Sequence, residues 1–113
     1  MKKRANLSQV IGLIELGFIA ESEGTLVGFI VGRQTYLAEY GTQVGEIAMI
    51  GVNPNYRGKG IGTKLINALN DLFRSRGVHR VRIGINSADK DLLAFSEKEG
   101  FSGERIVYYS KTL

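Results

Sequence analysis

A chain of 113 residues, 43% hydrophobic and 23% charged, suits one globular domain over 1–113 with a modest core. With no cysteine and a single histidine, His79, it excludes disulfides, thiolate metal sites, a cysteine acyl-enzyme and a histidine metal cluster, so no metal is expected. The net charge of +4 attracts anions, yet no DNA- or RNA-binding signature accompanies it, and nucleic acid is not the expected partner.

No apolar run approaches the roughly 20 residues of a membrane-spanning helix. The basic start Met1-Lys2-Lys3-Arg4 is followed by a segment that Gln9, Gly12 and Glu15 interrupt, unlike a secretion signal. The expectation is a cytoplasmic protein with no membrane partner.

In chain order, the apolar residues Leu7, Val10, Ile11, Leu13, Ile14 and Leu16, with Ser8 as N-cap, predict a short helix over Leu7–Leu16. Gly17 breaks that pattern. Phe18–Glu21 and Leu26–Val31 then read as two strands of a β-hairpin around the turn Ser22–Thr25. Gln34–Thr42 either extends the second strand or loops out. Val44–Val52 is a third strand, with Glu46 as its only acid; strict alternation puts Glu46 on one face with Ala48, Ile50 and Val52.

Ile61–Arg76 carries Ile61, Leu65, Leu69 and Leu72 at helical spacing, widened by Ile66 and Phe73, and Gly77 ends it. Val78–Ile85 alternates Val81, Ile83 and Ile85 against Arg80, Arg82 and Gly84, and reads as a strand whose His79, Arg80 and Arg82 form a solvated face. Strand, helix and strand with a crossover of this size make a parallel, right-handed unit. Glu104–Lys111, with Ile106-Val107-Tyr108-Tyr109, predicts a last strand.

The chemistry sits between the third strand and the helix, in Val52-Asn53-Pro54-Asn55-Tyr56-Arg57-Gly58-Lys59-Gly60-Ile61-Gly62-Thr63-Lys64-Leu65. Glycines at Gly58, Gly60 and Gly62 let a ligand approach the backbone, and a helix start offers unpaired amides and a positive dipole end. Arg57, Lys59 and Lys64 add charge, so the corner suits phosphate. The spacing fails the Walker loop, whose lysine follows the second glycine of its frame, and fails the Gly-x-Gly-x-x-Gly dinucleotide fingerprint.

Arg57-Gly58-Lys59-Gly60-Ile61-Gly62 resembles motif A of the GNAT superfamily of N-acetyltransferases, Arg/Gln-x-x-Gly-x-Gly/Ala, and Val52-Asn53-Pro54-Asn55-Tyr56 looks like that family's lead-in. The resemblance runs from about Phe18 onward. It implies an α/β fold: a mixed, mostly antiparallel sheet with a central splayed parallel strand pair flanked by helices. It implies acetyl-CoA as cosubstrate, its pyrophosphate on the backbone of Arg57, Gly58, Lys59, Gly60, Ile61, Gly62 and Thr63, and its pantetheine along Ile50, Gly51 and Val52. Glu46 stands where many members carry a general base, which a protonated amine acceptor requires.

Asn86–Phe101 resembles motif B: a strand end, a polar turn, a helix with Leu92, Leu93 and Phe95 on its apolar side, then Gly100-Phe101. Counting back from Gly100, the family's frequent tyrosine acid falls on Ser96, a shorter and poorer acid that can still hydrogen-bond a sulfur. Tyr108 or Tyr109 is the substitute acid to consider. The family's frequent cofactor-contacting asparagine falls on Asp89, better explained as a helix N-terminal residue, so Asn86 is the assigned cofactor contact.

Family members usually begin with a further strand and helices that help form the acceptor pocket, where this chain has only Met1–Gly17. The reading is direct acetyl transfer from acetyl-CoA to a primary amine, with homodimerisation covering the short start. A non-catalytic acyl-CoA-binding or protein-interaction module of the same fold is the alternative.

Overall fold

The structure, a computed structural model, describes residues 6–11 and 16–113. Five strands form one sheet in the order β1-β2-β3-β4-β5: β1 Asn6–Ile11, β2 Leu16–Ser22, β3 Thr25–Leu37, β4 Thr42–Val52 and β5 Val81–Ile83. The first four pair antiparallel, and β4 and β5 pair parallel. Helix α1, Ile61–Ser75, crosses between β4 and β5, and α2, Lys90–Lys98, follows.

The helix predicted over Leu7–Leu16 is instead strand β1 as far as Ile11; residues 12–15 lie outside the described residues. The apolar spacing there is helical, and strand pairing overrides it: Asn6 to Ile11 register one by one against Glu21 to Leu16. The expected hairpin is present, turning at Glu23 and Gly24, both with positive φ. Gln34–Leu37 extends β3 opposite Gly45–Thr42. The predicted strand Val78–Ile85 shortens to Val81–Ile83.

The predicted last strand, Glu104–Lys111, does not form, and Val107, Tyr108 and Tyr109 are exposed. A β-prone run becomes a strand only when a neighbouring edge takes its hydrogen bonds.

Helix α1 lies on one face of the sheet because its stripe Ile61, Leu65, Leu69 and Phe73, with Ile66, is fully buried there. Each such side chain contributes about 1.5–3 kcal/mol relative to exposure. The strands admit it by omitting side chains beneath it. A Cβ on Gly45 would lie 2.6 Å from the Phe73 ring, and one on Gly32 would lie 2.9 Å from Leu69. Ile30, Ile47, Val27, Ala20 and Val78 complete this core.

Candidate functional site

Strand β4 ends at Val52, and Asn53 N–H donates to the Val27 carbonyl at 2.8 Å, which fixes where the chain leaves the sheet. Asn53 then caps a 3-10 turn, Pro54–Tyr56, by accepting from the Asn55 amide at 2.9 Å. The chain turns into α1 through Gly58 (φ 74) and Gly60 (φ 79), both left-handed and both facing open space. An L side chain at either position costs roughly 1–2 kcal/mol in that conformation.

Gly60 is the N-cap of α1 and supplies no side-chain cap; the first intrahelical bond runs from Lys64 N–H to the Gly60 carbonyl at 3.0 Å. The amides of Ile61, Gly62 and Thr63 therefore have no acceptor within the helix. No acid stands in this first turn, and Arg57, Lys59 and Lys64 are exposed around it. Such a corner can hold a polyphosphate anion.

Gly62 has a different task from Gly58 and Gly60. A Cβ there would lie 2.9 Å from the Phe95 ring, so this glycine lets α2 close onto α1. Thr63 Oγ1 donates to Glu99 Oε2 at 3.0 Å across the same contact, leaving Thr63 its amide for a ligand.

The parallel ladder between β4 and β5 runs from Gly45–Val81 through Glu46–Arg82 to Ile47–Ile83 and stops. Beyond it β4 continues to Val52 and, among the described residues, pairs only with β3, so Ile50, Gly51 and Val52 lie on the stretch whose other edge is open there. This is a splayed pair, and it ends at the glycine corner. An extended ligand bound at the corner can reach along that edge with its amides.

The expected side for Glu46 is corrected by a bulge. On β3, Val31 pairs with Met49 and Gly32 with Ile47, so Ala48 has no partner and alternation changes phase there. Gly32, Gly45 and Ile47 face α1, as do Ile30 and its partner Ile50; Glu46 faces away, with Met49. Glu46 is therefore on the opposite face from Ile50 and Val52.

On that face Glu46 is held by Arg82, whose Nε donates to Oε2 at 2.9 Å and whose Nη2 lies 2.9 Å from the same oxygen in an ion pair. The Arg82 side chain is 15% exposed and that of Glu46 29%. Burial alone would lower the Arg82 pKa; the hydrogen bond and charge of Glu46, together with Tyr108 and Glu104, lift it above its ordinary value. The Tyr108 ring lies 5.5 Å from the guanidinium, and Glu39 Oε1 lies 3.9 Å from Nη1. The sequence reading of Arg82 as a solvated residue is thus corrected. Its signal was a cation on the strand parallel to the acid, unusable without the register.

An open cleft of about 1490 Å³ wraps the free edge of β5. Glu46, Arg82 and Tyr108 line it, as do Asn70, Val78 and Ser96 from the helix side, whereas none of Arg57–Thr63 does. Ser96 is buried, and its hydroxyl has no protein partner. Tyr109 is 94% exposed and does not line the cleft.

Asn86, just past the end of β5, uses Oδ1 to accept from the Ala88 amide at 2.9 Å, which leaves its side-chain NH2 for a ligand. Asp89 is the N-cap of α2, accepting from Leu92 N–H at 3.1 Å, and Gly100 (φ 95) ends that helix. Among the described residues no helix is long and apolar enough to cross a membrane.

The acetyltransferase (GNAT) family profile matches residues 8–101. An uncharacterized N-acetyltransferase of Methanocaldococcus jannaschii is 32% identical over 91 residues, 80% of this chain and 40% of that protein. N-alpha-acetyltransferase 30 of Schizosaccharomyces pombe is 30% identical over 95 residues, 83% of this chain and 62% of that protein. The chain thus spans about half the length of these curated relatives. The crystal structure of an aminoglycoside acetyltransferase from an uncultured soil metagenomic sample, in complex with sisomicin, superposes with a TM-score of 0.79 at 24% identity, covering 90% of this chain and 68% of that one. An aminoglycoside N-acetyltransferase in complex with CoA gives 0.78 at 22%, covering 90% and 70%. The structural likeness extends to the mixed sheet and both helices, and, with the profile spanning the splayed strands, the corner and α2, the chain belongs to the acetyltransferase (GNAT) family.

Proposed function

We propose that this chain is an acetyl-CoA-dependent N-acetyltransferase acting on a primary amine by direct attack. The observation that carries the reading is the continuity of the open half of β4 with an uncapped helix start behind two left-handed glycines. One face of that path takes amides and the other takes phosphates, which is the polarity of pantetheine joined to a pyrophosphate.

In this reading the amides from Arg57 to Thr63 bind the pyrophosphate, with Lys59 and Arg57 neutralising charge. Ile50, Gly51 and Val52 pair with pantetheine, and the Asn86 amide adds a contact. Glu46 removes a proton from the acceptor amine, whose nitrogen attacks the thioester carbonyl. The C–N bond forms, the C–S bond breaks, and the thiolate leaves with the electron pair. The donor for that sulfur is the buried hydroxyl of Ser96, which has no partner among the described residues, with Tyr108, whose ring lies beside Arg82, as the second candidate.

The acceptor is an amine, in keeping with the aminoglycoside acetyltransferase and the N-alpha-acetyltransferase to which the chain is similar. The same reading keeps 1–113 as one domain, cytoplasmic and homodimeric, with no metal. Sedimentation at micromolar protein giving a monomer removes the dimer.

Isothermal titration of acetyl-CoA against wild type and Gly60→Glu, followed by thiol release with a panel of amines, tests the proposal. Binding lost in Gly60→Glu and turnover lost in Glu46→Gln support it. Absence of binding overturns it. Binding with no turnover on any amine moves the assignment to an acyl-CoA-binding module.

A further inference from the structure

Glu46 stands on a strand, where a glutamate with three side-chain torsions sweeps a wide arc unless something holds it. Arg82 holds it by one oxygen, Oε2, to which Nε donates at 2.9 Å and which Nη2 approaches to 2.9 Å in the ion pair. The Tyr108 ring lies 5.5 Å from the guanidinium and Glu39 Oε1 lies 3.9 Å from Nη1, a buried nitrogen with no hydrogen bond among the described residues. Charge-assisted hydrogen bonds from a planar fork set direction as well as strength, and a lysine at the same place supplies a point charge without the fork.

A purely structural purpose for the pair explains less. The β4–β5 ladder already joins the two strands at this level through three register pairs and the bond from Gly45 N–H to the Arg80 carbonyl at 2.8 Å. The pair also lies on the face away from α1 and the buried core, lining the cleft instead.

We infer that Arg82 is the positioning residue for Glu46: by occupying Oε2 it leaves Oε1 as the oxygen that takes the proton of the acceptor amine. The inference rests on the reading of Glu46 as the base. In the step, the amine proton moves to Oε1 as the C–N bond forms and the C–S bond breaks. Arg82 keeps all its protons and stays a cation throughout. The carboxylate and guanidinium enter the half-buried cleft together, so neither charge is withdrawn from water alone.

Thiol release from acetyl-CoA is measured for wild type, Glu46→Gln, Arg82→Gln, Arg82→Lys, Arg82→Ala and the Glu46→Gln, Arg82→Gln double variant. The acceptors are a peptide with a free amino terminus, spermidine, free lysine and an aminoglycoside. Arg82→Gln is expected to lower kcat about tenfold or more while KM for acetyl-CoA stays within about twofold. Arg82→Lys should recover only part of that loss. Added guanidinium at non-denaturing concentration should restore turnover to Arg82→Ala but not to the double variant. The double variant should be no slower than Glu46→Gln alone, because Arg82 acts through Glu46.

Wild-type turnover in Arg82→Gln, losses that multiply in the double variant, or a fall in activity explained by a lower melting temperature with no guanidinium rescue would each overturn the inference. Full activity in Glu46→Gln removes the base reading instead, with acetyl-CoA binding untouched. No turnover by wild type on any acceptor overturns both.

Discussion

From Gly45 to Ile47, β4 is paired on both sides, with β3 and with β5; from Met49 to Val52 it is paired with β3 alone. The closed half carries Glu46 and lies over Phe73, and the open half runs into the glycine corner. One strand thus combines a stretch whose backbone is consumed by the sheet with a stretch whose backbone remains for a ligand. The change happens where Ala48 bulges and β5 ends.

The two halves should fail separately. Gly60→Glu, which puts a side chain at φ 79 and a negative charge on the anion corner, is expected to weaken acetyl-CoA binding by about a hundredfold or more in titration calorimetry, a larger effect than the roughly 1–2 kcal/mol of stability that the left-handed conformation costs it. Gly45→Val does the reverse. Its side chain would enter the Phe73 ring, and overpacking of about 1–3 kcal/mol should lower the melting temperature by roughly 4–8 °C per kcal/mol while leaving the affinity of the remaining folded protein intact. Equal losses of both properties in either variant would show that the halves are not independent.

A smaller effect is expected from Thr63→Val, which removes the bond to Glu99 and loosens α2 from the corner. About 0.5–1.5 kcal/mol of stability should go in urea titration, with a modest drop in acetyl-CoA affinity.

The smallest effect is expected at Tyr40, which belongs to the closed half's surroundings. Its phenol donates to Glu104 at 3.1 Å and stacks on Arg80 at 4.3 Å. Its pKa is raised above 10.0, by loss of solvent first and then by the hydrogen bond to Glu104. A raised value means that the folded state favours the protonated phenol. The contribution is full below about pH 10 and lost as pH rises through the folded value. Urea midpoints of wild type and Tyr40→Phe should therefore differ at about pH 8 and converge as pH rises through the raised folded value.

What the sequence disclosed follows the range of the forces involved. The glycine corner, the α1 stripe and the Asp89 and Gly100 ends of α2 are written in neighbouring residues, because conformation and capping act within a turn. The β1 strand was misread because Leu7, Val10 and Ile11 carry helical spacing, which the pairing with Glu21 to Leu16 overrides. Ile106–Tyr109 has strand-forming residues but no edge that takes them. Arg82 became part of the site only through a register that no local pattern encodes, and Gly62 resembled its neighbouring glycines although it serves Phe95.

The unpaired Ala48 works as a frame shift in space. Substituting it changes a side chain but leaves the count of residues, and therefore the side to which Glu46 points, as it is. Moving the carboxylate to the other face takes the removal or addition of a residue between Ile47 and Met49, which would direct it toward the space that Phe73 fills or push Ile50 out of the core. The position of this acid is thus protected against point mutation and exposed to in-frame deletion.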